Sequence, residues 1–161
     1  MKTVSICQPH FIPWMGYFFM IKGSDKFIFL DNVQYNRRSW QNRAHIRSSL
    51  NINEKKYLSL SVKDNSRSKN INQVFLMKKN LEELNNQIIN SYRKSKNFDF
   101  TFSFLEYFFK KNISLNLSEF NILLIKEICK ILKLELNFEK SSNLNLSKYK
   151  KEDLILKILK T

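Results

Sequence analysis

Every glycine and every proline of this chain falls within one stretch, Gln8 to Arg47, QPHFIPWMGYFFMIKGSDKFIFLDNVQYNRRSWQNRAHIR. The same stretch holds both histidines, both tryptophans and four of the six arginines. Glycine and proline are the strongest local punctuators of a backbone, so sharp changes of direction are concentrated here. The remaining three quarters is Lys, Asn, Leu, Ile, Ser and Phe, mostly in ordinary helical patterns. A functional site, if the chain carries one, is expected inside this stretch.

Taken in order, residues 3–7, TVSIC, are a short apolar, β-branched run and predict a buried strand. Pro9 and Pro13 bracket a tight non-helical segment. Trp14 to Lys22 is apolar and aromatic, predicting a helix entered just after Pro13 and closed by Gly23-Ser24. Lys26 to Leu30, KFIFL, predicts a second buried strand that ends at Asp31. Strand, helix, strand at this spacing is a βαβ unit, which implies a parallel pair with a right-handed crossover.

Residues 32–53 contain no acidic residue and show no clear period, which predicts a long basic loop with room for one helical turn. Tyr57 to Val62 alternates and predicts a strand. Asp64 to Asn72 reads as polar loop, and Ile71 to Leu76 as a short strand. Leu81, Leu84, Ile88 and Tyr92 share one helix face. Phe98 to Phe109 begins like a strand and continues like a helix; helix is the expectation. Ser118 can cap a helix whose core face is Phe120, Leu124, Ile128 and Ile131. Glu135 to Phe138 predicts a short strand, followed by Ser141-Ser142, and Asp153 to Leu159 a last amphipathic helix. No internal repeat or linker divides the chain. The fold class expected is one α/β domain, residues 1–161, with a mostly parallel central sheet flanked by helices.

The formal net charge is +14, which suits an anionic partner such as a nucleotide, a nucleic acid or an anionic membrane face. Lysine supplies 22 of the 28 basic residues, and abundant Lys, Asn and Ile is what an AT-rich genome produces, so most lysines read as solvated surface. No apolar run is long enough to span a bilayer, and the N-terminus lacks a signal-peptide pattern, so a cytoplasmic protein is expected. Cys7 and Cys129 have no metal-ligand spacing and are expected to be free thiols.

Arginine is scarce enough for its placement to matter. Arg37, Arg38, Arg43 and Arg47 lie together with no acid nearby, and a guanidinium fork grips phosphate or carboxylate through two hydrogen bonds. The competing reading is an exposed basic loop paired with distant acids. Trp14, Tyr17, Tyr35 and Trp40 offer flat faces for a base or sugar, or serve as packing. Asn36, Gln41 and Asn42 add neutral donors and acceptors. His10 follows the first strand and Asp31 ends the second, on the edge where open α/β sheets bind ligands. Either could handle a proton; a structural histidine and a turn-capping aspartate are the plainer roles. Ser141 and Ser142 could contact phosphate or cap a turn. There is no glycine-rich phosphate loop, no paired carboxylate motif and no zinc signature.

Gln8-Pro9-His10, Pro13-Trp14, Gly16-Tyr17-Phe18, Phe29-Leu30-Asp31, Val33-Gln34-Tyr35 and Arg38-Ser39-Trp40-Gln41-Asn42-Arg43 together resemble the WbqC-like protein family. The later part resembles it more loosely, through the Tyr57 strand, the Leu117 to Leu132 helix and the Ser141-Ser142 pair. The resemblance implies bacterial surface polysaccharide (O-antigen, lipopolysaccharide) biosynthesis. It points to a transferase moving an acyl or aminoacyl group, such as glycine, to a nucleotide-linked or phosphorylated sugar. Taken with the residue reading above, the candidate catalytic residues are His10 and Asp31. The candidate substrate-binding residues are Gln8, Trp14, Tyr17, Gln34, Arg37, Arg38, Trp40, Asn42, Arg43, Ser141 and Ser142. No metal is implied, and a nucleotide or nucleotide sugar enters as substrate rather than resident cofactor. The order of elements is also similar to the nucleotidylyltransferase type of Rossmann-like fold, although Trp14-Met15-Gly16-Tyr17 carries neither histidine of that fold's phosphate motif. A non-catalytic protein that binds RNA or a partner through the same basic, aromatic patch is the rival from another class.

Three expectations follow. Strands 3–7 and 26–30 should be adjacent and parallel. Arg38 and Arg43 should share a cleft with His10 and Trp14. Family members usually run longer, so the chain is expected to lack a C-terminal portion, leaving an unpaired sheet edge and an exposed apolar patch.

Overall fold

The computed structural model describes residues 2–48, 55–63, 66, 68–77, 81–146, 148–149 and 151–159. Its centre is a three-stranded parallel sheet in the order β1-β2-β5, formed by β1 (Val4–Cys7), β2 (Lys26–Phe29) and β5 (Phe138–Lys140). β1 and β2 pair parallel in the register Val4 to Lys26 through Cys7 to Phe29, as the βαβ reading requires. The crossing helix α1 (Met15–Lys22) starts after Trp14 and ends at Gly23, whose N–H closes on the Phe19 carbonyl at 2.9 Å. β1 is half-buried along its length because it is an edge strand, not the buried strand expected.

Alternation along β2 decides which layer lies on which face. Phe27 and Phe29 pack on one side with Tyr17, Phe18 and Ile21 of α1 and with Ile122, Ile125 and Cys129 of α4 (Leu117–Ile131). Ile28 points to the other side, against Leu154 and Ile158 of α5 (Lys151–Ile158). A strand buried on both faces must be apolar throughout, which is why KFIF carries no period-two signal. The last helix begins two residues earlier than expected, and its Leu159 is exposed while Leu154 and Ile158 meet the sheet.

The second unit of the fold is an antiparallel hairpin, β3 (Arg43–Arg47) with β4 (Lys55–Ser59). This corrects the long basic loop expected over residues 32–53; positions 49–53 lie outside the described residues. Ala44 and Ile46 face the core while Arg43, His45 and Arg47 face outward, a period of two masked by small and charged side chains. β4 ends at Ser59, and Val62 makes only an isolated bridge with Leu76. Ile71–Gln73 is a 3-10 turn rather than a strand, closed by reciprocal hydrogen bonds between Asn70 and Gln73.

Helices α2 (Leu81–Tyr92), α3 (Phe98–Asn112) and α4 pack behind this hairpin. Leu84, Ile88, Phe108, Phe109, Phe120 and Leu124 join Ala44, Ile46 and Leu58 in the largest core. Helix α4 spans both cores: Ile122 and Ile125 serve the sheet, Phe120 and Leu124 the hairpin. Full burial of such side chains stabilises by roughly 1.5–3 kcal/mol each. Its cap is Asn116, which accepts from the Glu119 N–H at 2.9 Å. Ser118, the expected cap, sits fully buried inside the helix, and Ile131, expected in the core, is exposed in its last turn. β5 lies three residues beyond the start of the Glu135 to Phe138 strand expected, and it pairs parallel to β2 through Phe27 and Phe138.

Candidate functional site

Two groups of the expected residues emerge, and they differ in chemistry. The first lies at the carboxyl ends of the parallel strands. Asp31, only 1 % exposed, follows β2 and meets the residues that follow β5. Its carboxylate accepts from Ser141 Oγ at 3.1 Å, from the Ser142 N–H at 2.9 Å and from Ser142 Oγ at 2.8 Å. Asp31, Ser141 and Ser142 are therefore brought together, 110 residues apart in sequence, as a mutually satisfied clamp between adjacent strands.

After β1, the chain turns through Gln8 to Pro13. Tyr17 lies in the core, fully buried, and donates its hydroxyl to the Gln8 carbonyl at 2.9 Å. Its ring packs on His10 at 5.3 Å and on Phe27 at 5.3 Å, so the face expected to meet a ligand is covered. Burial pushes His10 down to about 4, and its Nδ1 is buried without a hydrogen-bond partner. The imidazole is consequently neutral at ordinary pH. The Gln8 side chain accepts from Gln41 Nε2 at 2.8 Å, and Gln41 in turn accepts from the Asn36 N–H at 2.9 Å.

A single residue that sequence reasoning missed ties these loops down. Asn121 on α4 is fully buried and donates from Nδ2 to the Pro9 carbonyl at 2.9 Å and to the Gln41 carbonyl at 2.7 Å. The signal was available: an asparagine interrupting an otherwise apolar helix face. Asn42 is 8 % exposed and donates to the Leu60 carbonyl at 3.1 Å, so it too is structural wiring. Phe11 joins the loops again through its N–H to the Trp40 carbonyl at 2.9 Å.

The second group lies on the outer face of the hairpin. The Arg43 guanidinium sits 4.4 Å from the centre of the Tyr57 ring. His45 and Trp40 flank the same ring, at 5.3 and 6.4 Å. Tyr57 was legible only as a strand residue; its pairing with His45 across the ladder brings it to the arginines. Arg37 and Arg38 occupy the exposed turn before the hairpin. None of the four ion pairs found among the described residues uses an arginine. Gln34 is exposed and bridges to Asn70. Arg43 contacts Tyr57, while His10 contacts Tyr17.

Trp14 is 71 % exposed and folds over the start of α1. A Cβ on Gly16 would lie 2.0 Å from its indole, so that glycine leaves the ring its place. Ile12 and Arg38 adopt positive φ, 41° and 61°. Left-handed backbone is unfavourable for any residue but glycine, and most so for a β-branched one. Both loops of the site therefore hold strain that the surrounding hydrogen bonds maintain.

Cys7 and Cys129 are free thiols, and no group of three or more metal-ligating side chains occurs among the described residues. No helix among them is long and apolar enough to cross a membrane.

A family model described as "WbqC-like protein family" matches residues 8–161. A 49-residue segment is 49 % identical to the "Uncharacterized protein Rv1507c" of Mycobacterium tuberculosis (strain ATCC 25618 / H37Rv). That segment is 30 % of this chain and spans about a fifth (21 %) of the relative's length. No solved structure matches.

Proposed function

The chain belongs to the WbqC-like protein family, and on that premise we propose that it is a transferase of bacterial surface polysaccharide synthesis, acting on a nucleotide-linked or phosphorylated sugar. The observation that carries this reading is the hairpin face. Arg43 stacks on Tyr57 beside Trp40, with no acid paired to any arginine among the described residues. Guanidinium forks with open donors suit phosphate, and the half-exposed Trp40 suits a ring. Arg37 and Arg38 extend the same charge along the turn, and Trp14 supplies a second aromatic face.

In this reading His10 is the proton-handling residue. A neutral imidazole can accept a proton from an attacking hydroxyl or amine, and because Nδ1 is sealed in the fold the nitrogen assigned to this role is Nε2. Asp31, with three donors on its carboxylate, holds Ser141 and Ser142 and fixes the ends of β2 and β5, beside the β1 end from which the His10 loop departs. The group moved is acyl or aminoacyl.

Calorimetric titration with a panel of nucleotide sugars tests the proposal. Saturable one-site binding that weakens in Arg43→Lys is expected. Affinity for unrelated single-stranded oligonucleotides that collapses with salt, without saturable nucleotide-sugar binding, would instead make the hairpin a nucleic-acid surface.

A further inference from the structure

The arginine face continues into a groove of about 260 Å³ between β4 and α2. It is lined by Tyr57, Ser59 and Ser61 from the strand side and by Glu83, Leu84 and Gln87 from the helix. The volume is below that of pockets that take whole cofactors, and suits one small ring.

The polar groups fit a polyol. Gln87 Nε2 donates to Glu83 Oε1 at 3.4 Å, while Gln87 Oε1 is buried without a partner. Glu83 takes part in none of the four ion pairs among the described residues, in a chain with 28 basic and 14 acidic side chains. A carboxylate and an amide side by side accept from and donate to neighbouring hydroxyls. Serine hydroxyls do both, and an aromatic edge takes the C–H face of a sugar.

Register connects the groove to the anion site. Arg43 is the cross-strand partner of Ser59. Residues paired in this way lie on the same face of the ladder, roughly 5 Å apart. The Arg43 guanidinium itself lies over the Tyr57 ring, which also lines the groove, so a phosphate held by Arg43 sets the sugar it carries at the Tyr57 end of the groove. We propose that the β4–α2 groove is a sugar subsite, receiving the hexose-like ring of a sugar phosphate whose phosphate lies on Arg43. This deepens the reading above and rests on it for the phosphate, whereas the groove's preference for a polyol stands on its own residues.

The experiment is an NMR titration of the full chain with free hexoses and N-acetylhexosamines, then with the corresponding hexose 1-phosphates. Free sugars are expected to shift the Gln87 side-chain amide and the backbone amides of Ser59 and Ser61. The double variant Glu83→Ala, Gln87→Leu should lose those shifts while keeping the dispersion of the hairpin and helix signals. The 1-phosphates should in addition shift the Arg43 Nε–H and bind more tightly than the free sugars, and Arg43→Lys should reduce their affinity to that of the free sugars while the groove shifts remain. Sugars that leave the groove signals unmoved, or move them equally in the double variant, would overturn the subsite. Groove shifts that persist with no response at Arg43 would leave the subsite standing and sink the phosphate reading.

Discussion

The ends of the parallel strands and the outer face of the hairpin both carry polar residues from the Gln8 to Arg47 stretch, yet they use them in opposite ways. At the strand ends, Asp31, Ser141, Gln41 and Asn121 are buried and joined by hydrogen bonds of 2.7–3.2 Å. On the hairpin, Arg43, His45 and Trp40 are at least partly exposed and Arg43 has no acid partner among the described residues. A polar group that has satisfied its valences holds shape; one that has not retains binding capacity. Within this group His10 Nδ1 and Asn121 Oδ1 are exceptions, each buried without a hydrogen-bond partner.

The strongest way to break the comparison is Asp31→Ala. It strips three hydrogen bonds from a buried cluster and removes the acceptor of the Ser142 N–H and hydroxyl, while Ser141 keeps the Asn32 side-chain oxygen at 2.7 Å. A loss of about 3–5 kcal/mol in denaturant unfolding is expected. A cost below about 1 kcal/mol would show that the clamp is dispensable and that Asp31 serves another role. Asn121→Leu comes next. It orphans the Pro9 and Gln41 carbonyls and should cost about 2–3 kcal/mol, with disturbed amide signals in both loops.

His10 supplies a test in pH. Its folded value is about 4, below the ordinary 6.5 of an unfolded chain. Between those values the unfolded state binds more protons, so stability must fall as pH falls from 6.5 to 4. Above 6.5 the imidazole is neutral in both states and contributes no pH dependence. His10→Gln should flatten that part of the stability profile relative to the parent. An unchanged difference between pH 7 and pH 4.5 would place His10 in contact with water.

The smallest expected effect on stability is at Gly16→Ala. Alanine is the better helix former, and the indole it displaces is mostly exposed, so stability should change by less than about 0.5 kcal/mol. Trp14 fluorescence should shift as the ring leaves the helix start. An unshifted spectrum would mean that the ring does not rest there.

How far the sequence reveals this division depends on distance along the chain. The βαβ unit was legible because its signals are local: an apolar run, Pro13 and Gly23, a second apolar run. The arginine cluster was legible as a break in composition. The hairpin was not, since Ala44 is too small and Arg43, His45 and Arg47 too polar to display a strand pattern. Tyr57 joins the site through antiparallel pairing, and Asp31 meets Ser141 across 110 residues. Neither contact leaves a local trace. Tyr17, offered as a flat face for a ring or as packing, proves to be packing: it lies on the core side of α1, while Trp14, which precedes the helix, stays exposed.

The most direct test of the account maps a nucleotide sugar onto the chain by NMR. The indole Nε1–H of Trp40, the Nε–H of Arg43 and the Tyr57 ring signals should move together and saturate at one ligand. Arg43→Lys should weaken binding by about 1–3 kcal/mol while leaving the unfolding midpoint in place. Shifts confined to the Asp31 and Ser141 signals, or affinity unchanged in Arg43→Lys, would contradict the assignment of binding to the hairpin face.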